Sequence, residues 1–264
     1  MVIDAHVHLP RTDGMKPALK ELVKRHPAFQ TELGTDPAAF LDHMDEEGIE
    51  QAWLISYSAA LMGYGRAESE RVWDFCKQSD RLVPVGGYEP TDGDPADALA
   101  TMRNEGVRVL KVHPVHQGIN PNDPRLHGLY DAAREPIIFH TGPSVFPGAR
   151  NDFAYPALLE PVLRDWPDVQ VIIGHGGRPD KTSEALRLMA YPNAWLDLSG
   201  CPPQRLADYF GDLAPIADRV LWGTDWPGPG VPGMGANVAA FRALGYSEDV
   251  QQKILHDNAA ALLG

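Results

Sequence analysis

A closed (β/α)₈ barrel is the fold that this sequence predicts, on three observations. Short apolar runs recur eight times along the 264 residues, the segments between most of them are helix-like, and no glycine-rich nucleotide loop follows the first run. Runs that are apolar on both faces and alternate with helices indicate a parallel sheet covered by those helices. Eight such units favour closure, because a closed barrel typically needs about 250 residues. An open doubly wound sheet would tend to carry a glycine-rich turn after its first strand, and DAHVHLPRTDG is not one.

In chain order the runs are VIDAHVHL, QAWLISYS, LVPVGGY, VRVLKVHP, PIIFHTG, VQVIIGHGG, AWLDLSG and VLWGTDWP. Helices are expected over 36–48, 95–106, 123–135 and 178–190. Asp36 and Asp123 each precede a proline, an N-cap followed by the residue whose fixed φ suits the first helical position. Gly48 and Gly106 stand where a helix-terminating glycine belongs. A last helix over 247–264 closes the structure, with Asn258 and Leu262 packing against it. The segment from His8 through about Leu33 contains the helix-like KPALKELVKRH and forms either a lid over the C-terminal mouth or a plain connection. WPGPGVPGMG, 226–235, is too rich in proline and glycine for regular structure and reads as a shaped loop at the same mouth. No linker, charge run or longer repeat divides the chain, which reads as one domain over 1–264.

The composition is that of an ordinary globular protein, 44% apolar and 22% charged. A formal charge of -13 argues against nucleic-acid and anionic-membrane partners, because phosphate binding needs clustered Lys and Arg. Cys76 and Cys201 are the only cysteines, which supports neither a disulfide framework nor a thiolate metal site. No basic segment followed by an apolar one opens the chain, and no uncharged apolar run approaches the roughly 20 residues of a membrane span. The expectation is a cytoplasmic protein acting on a small molecule, with a homodimer as the base-rate assembly.

Polar residues gather at the C-terminal ends of the apolar runs. His6 and His8 are two apart, so in a strand both imidazoles point to one face and can meet one ion. By the same parity Val107, Val109, Lys111 and His113 share a face, Ile138 pairs with His140, Ile173 with His175, and Leu221 and Gly223 with Asp225. In a barrel these strand ends converge on one cavity.

HVH on the first strand, FHTG near the middle, GHGG one strand later and GTDWP on the last resemble the amidohydrolase superfamily. The similarity is to the amidohydrolase-related branch that includes the aminocarboxymuconate-semialdehyde decarboxylase-like enzymes, and it extends to KVHP, INPNDPRLHGLYDAARE and ILHDNAAALLG. The resemblance implies a TIM barrel with His6, His8, His140 and Asp225 as metal ligands and His175 as the catalytic histidine. Three neutral imidazoles and a carboxylate suit one Zn²⁺ and tolerate Mn²⁺, Fe²⁺ or Co²⁺. Such an ion lowers the pKa of bound water from near 16 towards about 7. Asp225 can instead act mainly as a base on that water, with His175 polarising the scissile group or shuttling the proton.

Further roles are expected around this set. Lys111 is read as supporting the ligands or facing substrate rather than as a carbamylated bridge between two metals. His113, held extended by Pro114, contacts substrate, whereas His116 and His127 are assigned to the surface or to helices. Asp4 lies deeper on the ligand face and hydrogen-bonds behind it. Asp197 and Ser199 support His175 or satisfy backbone groups. Arg11, Arg66 and Arg178 follow strands and are candidates to clamp a substrate carboxylate, and Trp226 to wall the pocket.

The leading functional reading is a metal-dependent hydrolase of a small ester, lactone or amide. The alternative uses the same site for non-oxidative decarboxylation of an unsaturated or aromatic acid. A metal-free lactonase is a third reading. A TatD-like deoxyribonuclease shares the early HxH but expects a basic approach path, which the acidic charge disfavours. A non-catalytic scaffold barrel would be expected to have lost one or more of the ligands.

Overall fold

The computed structural model describes residues 1–91 and 93–264. Eight parallel strands form one sheet in sequence order: β1 (Ile3–Val7), β2 (Gln51–Ile55), β3 (Leu82–Gly87), β4 (Val109–Val112), β5 (Ile137–His140), β6 (Val171–Gly174), β7 (Ala194–Asp197) and β8 (Val220–Leu221). Each arises from one of the eight apolar runs. The last strand is short, yet the backbone beyond it zips onto β1. Ala5 N–H donates to Trp222 O at 2.9 Å, Asp225 N–H to His6 O at 2.8 Å and His8 N–H to Trp226 O at 2.8 Å. These bonds join the first and last strands, and the fold is a TIM barrel.

Before β2 lie α1 (Pro17–Val23) and α2 (Pro37–Glu47), and α3 (Arg66–Cys76) and α4 (Pro95–Asn104) precede β3 and β4. A single turn, α5 (Pro114–Gln117), and then α6 (Pro124–Ala132) lead to β5. The remaining crossovers are α7 (Glu160–Asp165), α8 (Thr182–Leu188) and α9 (Leu206–Phe210). After β8 come α10 (Met234–Arg242), α11 (Glu248–Gln252) and α12 (Asn258–Leu263), with a π-helical turn over 253–257 between the last two. Asp36, Asp94 and Asp123 cap their helices through side-chain oxygens, and Gly48 ends α2 at φ 70°. The helix expected over 178–190 starts later, at Thr182, because Arg178 to Lys181 form an irregular turn at the mouth.

Alternation along the strands divides the core. Trp53, Ile55, Val83, Val85, Val109, Ile138, Ile172 and Leu221 fill the barrel, while Leu54, Leu110, Phe139, Ile173 and Leu196 belong to the larger cluster under the helices. Asn258 fastens the C-terminal segment to the wall, its Nδ2 donating to Ala217 O at 2.6 Å and Val220 O at 2.8 Å. No described helix is long and apolar enough to cross a membrane.

Two mouth segments meet over the C-terminal ends of the strands. His26 Nε2 lies 3.1 Å from Val231 O, tying the 9–33 segment to the 226–235 loop, and Lys16 N–H donates to Met62 O in the loop between β2 and α3. Regular helix resumes at Met234, two residues before that loop was expected to end.

Candidate active site

The strand ends and the two mouth segments enclose a cavity of about 250 Å³ whose walls include His6, His8, Lys111, His140, His175 and Asp225. Within it, one ligand atom from each of His6, His175 and Asp225 lies within 4.8 Å of the others. His6 Nε2 is 3.7 Å and His8 Nε2 3.4 Å from Asp225 Oδ1. The first and last strands thus bring their acceptors together, although about 220 residues separate them in sequence.

Alternation explains only part of this. Ile172, not Ile173, faces into the barrel, so simple parity would turn His175 outward. The expected pairing of Ile173 with His175 on the inner face is therefore corrected. His175 enters the cavity because its backbone switches to φ 64°, and Asp225 has φ 65°. Side chains other than glycine rarely adopt this left-handed region, so both polar groups occupy a strained backbone. Gly223 permits the close approach beneath them. A Cβ there would fall 2.7 Å from His6 Cβ and 2.9 Å from Asp197 Oδ1.

Strand β7 orients the two buried rings. His6 Nδ1 lies 2.6 Å from Asp197 Oδ2, while Ser199 Oγ–H donates to the same oxygen at 2.8 Å and Ser199 N–H to Oδ1 at 2.8 Å. His175 Nδ1 lies 3.0 Å from Ser199 O. Each acceptor holds a proton on Nδ1 and leaves the Nε2 lone pair facing the cavity. Burial, reinforced by neighbouring cationic groups, holds His6 and His175 well below the ordinary imidazole range, so both rings are neutral. Burial opposes ionisation of Asp225, but the His8 hydrogen bond and the nearby Arg178 guanidinium outweigh it and keep its carboxyl below the usual range. Neutral nitrogen donors facing a carboxylate are a set that fits a divalent cation.

The other candidates fall in different places. His140 stands beside the cluster, its ring centroid 4.7 Å from that of His175, with Nε2 3.0 Å from Gly142 O. Lys111 is buried with Nζ 3.4 Å from His6 Nε2, and burial lowers its pKa to about 8 against the pull of Asp197 and Asp225. His113 caps α5 and stacks between His140 (3.9 Å) and His116 (3.8 Å). Asp4 sits behind the ligands and accepts from Thr224 N–H at 2.9 Å and Thr224 Oγ1–H at 2.6 Å. Burial raises its carboxyl to about 7.

Arg178 and Arg11 both line the cavity, and the Nε of each has no hydrogen-bond partner among the described residues. Arg178 Nη2 lies 3.8 Å from Asp225 Oδ2, and its guanidinium passes over Gly200 where a Cβ would collide. Arg66 does not reach the cavity. It opens α3 and pairs with Glu70 one turn on, at 3.1 Å, so its assignment to substrate binding is corrected. Trp226 likewise packs away from the cavity, against Phe40 and His43 of α2.

Among the cavity residues that the sequence does not single out are three that hydrogen-bond to one another. His116, expected at the surface or in a helix, does lie in α5 but is 7% exposed and lines the cavity. The HPVH spacing was the available signal, because residues three apart share one face of a helical turn. Tyr57 continues the inward alternation of Trp53 and Ile55. Ser144 lies in an irregular loop after β5, where no periodicity marks it.

Comparison with known proteins agrees with this architecture. Over 124 residues, 35% of this chain and 40% of the relative, the sequence is 33% identical to 2-pyrone-4,6-dicarboxylate hydrolase of Comamonas testosteroni. Over 119 residues, 36% of this chain and 39% of the relative, it is 29% identical to 4-sulfomuconolactone hydrolase of Hydrogenophaga intermedia. The matched part thus spans about two fifths of each curated relative. The crystal structure of 5-carboxyvanillate decarboxylase LigW from Sphingomonas paucimobilis superimposes with a TM-score of 0.68 at 17% identity, covering 99% of this chain and 98% of that one, and shares the fold. The family profile described as amidohydrolase matches residues 3–264, and the chain belongs to that family.

Proposed function

We propose that this protein hydrolyses a small anionic lactone, with a divalent ion held by His6, His8, His140 and Asp225. The observation that carries the reading is the pair of Nε2 lone pairs that β7 turns towards Asp225 inside a cavity edged by two arginines. The hydrolases named among the relatives act on lactones bearing acidic groups, which fits a cavity lined by Arg178 and by Arg11, the latter also paired with Asp13 at 3.0 Å. A bound zinc ion, or manganese, iron or cobalt in its place, would acidify water and polarise a carbonyl.

The chain's own groups do the rest. Arg178 and Arg11 bind the substrate carboxylate and set the lactone carbonyl towards the strand ends. Asp225 accepts a proton from the attacking water, being ionised at neutral pH. His175, fixed by the Ser199 carbonyl, offers Nε2 as the proton carrier towards the leaving oxygen. The mouth segments exclude bulk water and so strengthen each of these interactions.

The test is a turnover panel of lactones, esters, amides and unsaturated acids with protein analysed for metal before and after chelation. Lactone opening that falls with chelation, returns on adding zinc and is lost in Asp225→Asn is expected. Carbon dioxide release from acids without lactone opening would replace hydrolysis by decarboxylation. Full activity in metal-stripped protein would remove the ion from the reaction.

A further inference from the structure

At one wall of the cavity Tyr57, His116 and Ser144 form a hydrogen-bonded unit distinct from the ion-binding candidates. Tyr57 Oη lies 3.1 Å from His116 Nδ1, and Ser144 Oγ lies 2.7 Å from His116 Nε2. The ring is fixed in place by stacking on His113 at 8° between planes and by the edge of Phe146. Its backbone N–H is already spent on His113 Nδ1. Ser144 Oγ also accepts from Phe146 N–H at 3.3 Å.

Counting hydrogens decides what this unit offers. Tyr57 brings one hydroxyl hydrogen, Ser144 brings one, and a neutral imidazole brings one. The two internal bonds use two of the three. If His116 carries its proton on Nε2, it donates to Ser144 and accepts from Tyr57, and the Ser144 hydroxyl hydrogen is left over. With the proton on Nδ1 the ring donates to Tyr57 and accepts from Ser144, and the Tyr57 hydrogen is left over. In either tautomer one donor remains, and both hydroxyl-bearing residues line the cavity.

We propose that Tyr57, His116 and Ser144 are a specificity subsite giving a single hydrogen bond, from either end of the unit, to a neutral acceptor oxygen of the substrate. This rests on reading the cavity as a lactone site and narrows its substrate. A carboxylate has about four lone-pair positions to satisfy, so a lone hydroxyl donor suits it poorly. The acid group therefore belongs at Arg11 and Arg178, and the substrate class is a lactone with one carboxylate and, away from it, a carbonyl or ether oxygen.

Two probes without any hydrolysable bond test the subsite apart from turnover: 3-oxocyclohex-1-ene-1-carboxylate, and cyclohex-1-ene-1-carboxylate, which lacks the acceptor. Calorimetric titration of the wild type should show the oxo probe bound about 5- to 10-fold tighter, the worth of one neutral hydrogen bond. Tyr57→Phe and Ser144→Ala should each keep most of that preference, because the remaining hydroxyl can take the free hydrogen. The double variant should lose it, since both hydroxyls are gone and the His116 ring nitrogens stand 3.1 and 2.7 Å further back than the oxygens that met the acceptor. Equal binding of the two probes by the wild type, loss of the preference in either single variant, or its survival in the double variant overturns the proposal. Independently of any variant's folding, ring ¹⁵N spectra of the wild type should show His116 neutral, and a doubly protonated ring would also overturn it. Absence of lactone turnover with the probe preference intact would count against hydrolysis and leave the subsite standing.

Discussion

Asp197→Asn isolates what β7 contributes to the site. The carboxylate is buried, takes the His6 Nδ1 bond and a Ser199 hydroxyl on Oδ2, and takes the Ser199 N–H on Oδ1. Asparagine cannot reproduce all three. With its amide nitrogen towards His6, it asks Nδ1 to accept and drives the proton to Nε2, the atom that faces Asp225. With its oxygen towards His6, the amide nitrogen abuts the Ser199 N–H, and two donors oppose each other. Either way a charge-assisted bond of about 1.5–3 kcal/mol is forfeited. At 1.4 kcal/mol per factor of ten this weakens divalent-ion binding by about 10- to 100-fold, the usual size for loss of a histidine's outer partner. Metal-free thermal stability should change little, because a buried carboxylate's desolvation cost disappears with it. Competition with a chromogenic chelator measures the affinity, and ring ¹⁵N shifts report the His6 tautomer. Unchanged zinc affinity together with an unchanged tautomer would refute the claim that Asp197 sets the direction of the His6 lone pair.

Two further outcomes concern stability. Burial raises Asp4 from 3.8 to about 7, so between those values the native chain keeps a proton that the unfolded chain has lost. The resulting stabilisation is complete below pH 3.8 and is lost as pH rises through 7, by on the order of 4 kcal/mol. Asp4→Asn, which imitates the protonated form towards Thr224, should flatten the melting-temperature slope across that window in metal-free protein, and an unaltered slope would count against the assignment. Asn258→Ala strands the buried Ala217 and Val220 carbonyls, at about 1–3 kcal/mol for the first such loss. For a chain of this length that lowers the melting temperature by roughly 2–6 °C, and calorimetry showing no change would remove Asn258 as the fastener of the C-terminal segment.

The barrel was legible because burial on both faces makes each strand a dense apolar run, and all eight runs became strands. The HxH pair and the terminal aspartate were legible because their chemistry is rare at strand ends. His175 was named correctly as a cavity residue but for a mistaken reason, since parity fails at a residue with φ 64°. Arg66 misled because following a strand says nothing about where a helix begins, and the loop between β2 and α3 is long enough to carry it out of reach. His116 was missed because α5 is a single turn, so the HPVH spacing was the one sign that it shares a face with His113. Ser144 depends on a loop path that distant contacts determine.

The backbone at His175 and Asp225 would be at ease as glycine, at a saving of about 1–3 kcal/mol per position. Selection for heat resistance alone would favour relaxing the backbone at these two places, and with it would go two of the polar groups proposed to carry the reaction. Durability and chemistry pull against each other there, so any effort to harden this protein should hold both residues fixed and look elsewhere.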